Sequence, residues 1–203
     1  MLTFLLHKSV LNVIFASDKS SRIMETPFIY DRYVTAKYFI GRKKECGILG
    51  NLLAAGEHVV MYEPPKTGKM SIIQQTLINM RSAGAQFMTV CIDMFNIRTM
   101  DEFLLRFGTA VMKAALTTPD QYKDAIQHHL EGTHFVFDRE RFYQDGSIVS
   151  LNWSPDRNDM EKMMKLPGLI ASEKGVPFFL IFREFQTIMN SPLNWTKQKK
   201  LQT

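Results

Sequence analysis

Apolar positions change their period repeatedly along the chain. Ile48, Leu49, Leu52 and Leu53 share one helical face and Gly56 closes the pattern, so a short helix is expected there. The apolar run 59–62 reads as a strand, and 71–80 reads as a helix presenting Ile73, Leu77 and Met80 on one side. After the break at Gly84, residues 87–93 are almost continuously apolar, which suits a parallel strand covered on both faces. Thr99, with Glu102 three positions later, is the signature of a capping box opening a helix that buries Phe103, Leu104, Phe107 and Val111. Thr118-Pro119 starts another helix with proline at its first position.

From 132 to 153 the pattern is irregular and aromatic, with Phe135, Phe137, Phe142, Tyr143 and Trp153; it reads as short strands or loops packed on the sheet edge. Ser154-Pro155 opens a further helix that Pro167 is expected to kink or end. Residues 177–182 form a last buried strand, which runs directly into Arg183 and Glu184. Strands and helices in alternation are the mark of an α/β fold.

The candidate chemistry lies between the strand at 59–62 and the helix at 71–80, in Glu63-Pro64-Pro65-Lys66-Thr67-Gly68-Lys69-Met70-Ser71. A phosphate-binding loop has the pattern G-x-x-x-x-G-K-[ST] between strand and helix. Its backbone N–H groups cradle the phosphates, the lysine reaches the terminal phosphate and the hydroxyl holds magnesium. Gly68 and Lys69 fit. Glu63 stands in place of the first glycine and Met70 in place of the hydroxyl residue. A carboxylate left ~5 Å from a phosphate would weaken binding about a hundredfold at an effective dielectric of ~20, unless it turned outward into water. A thioether is too soft a ligand for magnesium, and the Ser71 hydroxyl, one position late, points about 100° away.

Arg183 and Glu184 close the last apolar strand, where a glutamate-using P-loop ATPase carries Asp-Glu; the aspartate supports magnesium and the glutamate polarises water. An arginine has no acceptor to offer a cation. In their order, the lead-in Phe39-Ile40-Gly41-Arg42, the loop ending Thr67-Gly68-Lys69, the strand closing at Asp93 and the 178–184 strand resemble the N-terminal half of the ATPase domain of a bacterial or archaeal AAA-type (STAND-like) P-loop ATPase, with degenerate Walker A and Walker B motifs.

The resemblance implies a three-layer P-loop sandwich with a mainly parallel sheet, expected to stop before the last strands and the helical lid. It implies ATP as ligand, held by Lys66, Thr67, Gly68, Lys69, Met70 and Ser71 together with Gly41 and Arg42. Glu184 would be the residual catalytic base. Both magnesium supports are replaced, so weak or no hydrolysis is expected, and Arg183 could take the ion's place at the β- or γ-phosphate. Asp93 reads as a strand-end or capping acid, and His128 and His129 as a solvated pair without partners at metal spacing; no metal ligand set is assigned.

Composition narrows the rest. A chain of 203 residues with 45% hydrophobic content can bury a sizeable core and is not disordered by composition. The division expected is an extension at 1–26, with Met24 as a second starting point, a partial ATPase domain at 27–190 with an insertion or edge region at 117–165, and a basic tail at 191–203. The net charge of +5 is modest and spread out, so it permits nucleotide or nucleic acid without arguing for either. Cys46 and Cys91 lack metal spacing and fit reduced thiols in a cytoplasmic protein. His7 and Lys8 break the apolar start, so no membrane span is expected. An incomplete sheet would leave an apolar edge for a protein partner or a second copy. The contrasting reading is therefore a non-catalytic remnant serving as a protein-interaction module.

Overall fold

The computed structural model describes residues 32–185. The expected extension at 1–26 and the tail at 191–203 lie outside the described residues. The chain divides into two compact units, which part between Ala83 and Gly84.

The first unit is a pair of helices, α1 (Lys43–Ala54) and α2 (Lys69–Ser82), joined by a long loop. Its core is small: Cys46 and Leu49 from α1 meet Ile72 from α2, with Phe39, Leu53, Met61 and Ile73 packed around them. Gly50 faces Thr76 and Met80 of α2, and a Cβ there would make only an ordinary contact, 3.6 Å from Thr76 Cγ2. The buried stripe of α2 is Ile72, Thr76 and Leu77 rather than the expected Ile73, Leu77 and Met80. Apolar residues surround most of this helix, so periodicity alone could not choose the face.

The strand expected at 59–62 does not form. The segment carries no ladder partner among the described residues, and Val60 and Tyr62 are 92% and 97% exposed. An apolar run supplies the side chains of a strand but not the neighbour whose backbone must complete it.

The second unit is built on two parallel strands, β1 (Met88–Asp93) and β4 (Phe178–Arg183), registered Val90 with Leu180 and Ile92 with Phe182. Between them the chain forms α3 (Met100–Ala115), α4 (Pro119–His129), β2 (Phe135–Val136), α5 (Arg139–Asp145), β3 (Ser150–Leu151) and α6 (Arg157–Lys174). Val90 and Ile92 bury against Leu104, Phe107 and Val111 of α3 and Met163, Leu166 and Ile170 of α6. The opposite sheet face is open at Cys91, which is exposed. Coverage of both faces was the expectation; here the helices cover one.

Local signals set the helix starts. Thr118 and Gln121 make a full capping box at α4, with Pro119 in the first turn. At α3 the box is half made: Thr99 Oγ1 accepts from Glu102 N at 3.1 Å, while Glu102 Oε2 accepts from Arg98 N, one residue before the cap. Asp156, not Ser154, caps α6. Pro167 lies inside α6 and does not end it, because Leu166, Pro167 and Ile170 are all buried. An internal proline costs about 3 kcal/mol, and burial of two aliphatic side chains contributes about as much or more. The 132–153 stretch pairs β2 with β3 as a separate antiparallel ribbon and holds the helix α5, which the irregular pattern did not suggest. Among the described residues no helix is long and apolar enough to cross a membrane.

Candidate phosphate loop and the strand-end carboxylate

The loop before α2 is shaped by two left-handed residues, Lys66 (φ 64°) and Gly68 (φ 85°). Gly68 has the freedom this requires; Lys66 carries a cost of about 1–2 kcal/mol. Glu63 is not in that region, so the conformational role reserved for a first glycine is not needed at its position. Its charge is dealt with locally. Arg42 caps α1 with its own left-handed backbone (φ 53°), which follows the left-handed Gly41, and its guanidinium grips both Glu63 oxygens, Nη2 to Oε1 at 2.5 Å and Nη1 to Oε2 at 3.3 Å. Nη1 also donates to Thr67 O at 2.8 Å, and Nε to Glu45 at 3.1 Å.

The Glu63 carboxyl is half-buried and turned to Arg42. Hydrogen bonds from Arg42 first, then Thr67, hold its pKa below the ordinary glutamate range, and the same pairing raises that of Arg42.

Lys69 is the first residue of α2, and its ammonium turns back over the loop, donating to Glu63 O at 2.7 Å and Pro64 O at 2.9 Å. Thr67 Oγ1 donates to the same Pro64 carbonyl at 2.9 Å. No side chain caps α2 and no acid stands in its first turn, so its leading N–H groups keep the positive end of the helix dipole uncompensated. Met70 is half-buried on that turn. Ser71 is buried, and its hydroxyl accepts from Val34 N at 3.0 Å, which commits it to holding the preceding segment. The donor set is poor for magnesium: the Met70 side chain has no oxygen, and Ser71 is buried with its hydroxyl directed at Val34 N.

In the second unit Arg183 and Glu184 stand at the carboxyl ends of β4 and β1, in an open depression of about 560 Å³ also lined by Asp93, Phe95, Asn96 and Arg106. The carboxyl ends of parallel strands are where α/β sheets receive ligands. Arg183 Nη1 lies 3.6 Å from Asp93 Oδ2, and Asp93 Oδ1 accepts from Phe95 N at 3.0 Å, as expected of a capping acid. Glu184 is exposed with a left-handed backbone (φ 52°), a local strain of the kind that collects at working sites. The predicted residues thus fall into two groups: Gly41, Arg42 and 66–71 in the first unit, Arg183 and Glu184 in the second.

Two titratable clusters escaped the sequence reading. His128 and His129 are not a partnerless pair, because Glu173 of α6 meets both: His128 Nε2 lies 3.7 Å and His129 Nε2 3.3 Å from its carboxylate oxygens. The partner is remote in the chain, so no local spacing could reveal it. The second cluster joins β2 to α6. Asp159 is fully buried and accepts from His134 N at 2.9 Å, from Asp156 N at 2.7 Å and pairs with His134 Nδ1 at 2.7 Å. The Asp159 bond raises the His134 pKa. For Asp159 burial pushes upward, but the hydrogen bonds from His134 and Asp156 outweigh it and the net direction is down.

Comparison of the chain with protein-family models, with curated proteins and with solved structures finds no match in any of the three.

Proposed function

We propose that this chain is a cytoplasmic ATP-binding protein of the AAA-type P-loop ATPase group, with weak or no hydrolysis. The observation that carries the reading is the uncapped start of α2 behind a loop turned by Lys66 and Gly68, with the Lys69 ammonium poised over that loop. Such a helix start attracts phosphate through its N–H groups and dipole. Lys69 would exchange the Glu63 and Pro64 carbonyls for phosphate oxygens, and Arg42 keeps the Glu63 charge from opposing the ligand. Weak turnover follows from the donor set, since neither Met70, the engaged Ser71 nor Arg183 offers magnesium a free oxygen.

The test is titration with ATP, with and without magnesium, beside Lys69→Ala. Saturable binding that is lost in Lys69→Ala and indifferent to magnesium is expected. No binding by the folded protein would overturn the reading. That result would favour the second one, a non-catalytic protein-interaction module using the sheet edge and the aromatic 132–153 stretch, where Tyr143 and Trp153 are exposed. Arg183 is already paired with Asp93, so Arg183→Ala is expected to leave ATP affinity within about twofold.

A further inference from the structure

The carboxyl-terminal ends of two helices meet in the second unit. α4 ends at His129 and α6 at Lys174, each presenting the negative end of its dipole, and Glu173 adds a full negative charge in the last turn of α6. Consecutive residues on a helix normally point about 100° apart. Yet His128 and His129 both direct Nε2 to the Glu173 carboxylate, one to each oxygen, and the three ligand atoms lie within 4.8 Å of one another. The His129 side chain is 8% exposed, whereas those of His128 and Glu173 are 77% and 52% exposed, so the cluster has a fixed inner ligand and an open mouth.

A divalent metal with bonds of ~2.0–2.2 Å to nitrogen and oxygen spaces its tetrahedral ligand atoms roughly 3.3–3.5 Å apart. Each imidazole nitrogen stands 3.3 or 3.7 Å from its own Glu173 oxygen, and with all three ligand atoms within 4.8 Å of one another the cluster needs about an ångström of closure at most to surround one ion. Imidazole with one carboxylate is a donor set that suits zinc and not magnesium or calcium. We propose that His128, His129 and Glu173 form a zinc site that ties the end of α4 to the end of α6, with its fourth position open to water. This site is independent of the nucleotide reading and shares no residue with it.

Zinc alone, added to the full-length protein after chelator treatment, is the probe, followed by calorimetry and thermal melting. One equivalent is expected to bind with micromolar or tighter affinity and to raise the melting temperature by several degrees. His129→Gln and Glu173→Gln should each weaken binding at least about tenfold, since even partners of metal ligands matter that much. The exposed Cys91 is the competing thiol, and Cys91→Ser should leave binding unchanged. Absence of saturable binding, or binding lost in Cys91→Ser and kept in the double variant His128→Gln/Glu173→Gln, would overturn the proposal. Unchanged melting of the metal-free variants would establish that they fold.

Discussion

Among the described residues, the first unit carries the loop chemistry on a small core, whereas the second has a deep core and little recognisable chemistry. Among the described residues, Cys46, Leu49 and Ile72 form the buried cluster of the α1–α2 pair and Leu77 is buried besides, against a cluster running from Val90 to Ile170 through α3 and α6 in the other unit. Burial of an aliphatic side chain contributes about 1.5–3 kcal/mol, so this cluster offsets far less ordering entropy than the larger one does. The polar ties around the loop, from Arg42 to Glu63 and Thr67 and from Lys69 to Glu63 and Pro64, therefore carry a larger share of the order there. A loop held by polar ties on a thin core is open to rearrangement by a ligand; a loop on a deep core would be fixed before the ligand arrived.

This contrast can be broken most directly in the deep core. Phe107 is fully buried and packs beside Phe103 and Phe182, so Phe107→Ala should destabilise the second unit by about 3–5 kcal/mol. Leu49→Ala should cost about 2 kcal/mol at most, because the small core around it can relax. Urea unfolding followed by separate probes in each unit would measure both. Equal losses would show that the two cores are not as different as their burial suggests.

The loop side is sharpened by Arg42. Arg42→Ala releases the Glu63 carboxylate and should weaken ATP binding roughly tenfold, while adding Glu63→Gln should restore most of it. Additive losses would mean that Arg42 acts on the ligand itself rather than through Glu63. The clamp also has a pH sign. With the folded Glu63 pKa depressed, its contribution is complete above the ordinary value of 4.5 and disappears as pH falls through the depressed one.

The smallest effect belongs to the His134–Asp159 link. The folded His134 pKa is raised, so its stabilisation is complete below the ordinary value of 6.5 and is lost as pH climbs through the raised one. Melting of the second unit between about pH 6 and about pH 9 should drop by a degree or two on the alkaline side, and His134→Gln should flatten that slope. A slope unchanged in His134→Gln would assign the titration to another group.

Much of the secondary structure was legible because its determinants are local. The capping residues Thr99 and Thr118, the proline at the start of α4 and the apolar run of β1 each specify an element within a few residues. The loop's local shape was legible for the same reason: Gly68 and Lys69 before an apolar run define a helix start, which the structure places at Lys69 behind a left-handed Gly68. The buried face of α2 was not legible, because Ile72 and Ile73 are equivalent until Cys46 and Leu49 of α1 enclose one of them.

Sequence by itself thus determined the starts of α3 and α4, which strands of the second unit are apolar and where the loop turns into α2. Tertiary structure alone decided that 59–62 finds no ladder partner among the described residues, that Glu63 is neutralised by Arg42, and that Glu173 joins His128 and His129. The physical reason is range. Caps and periodicity act over one or two turns, whereas a ladder, an ion pair or a ligand cluster requires two segments far apart in the chain to be brought together, and only folding supplies that second segment.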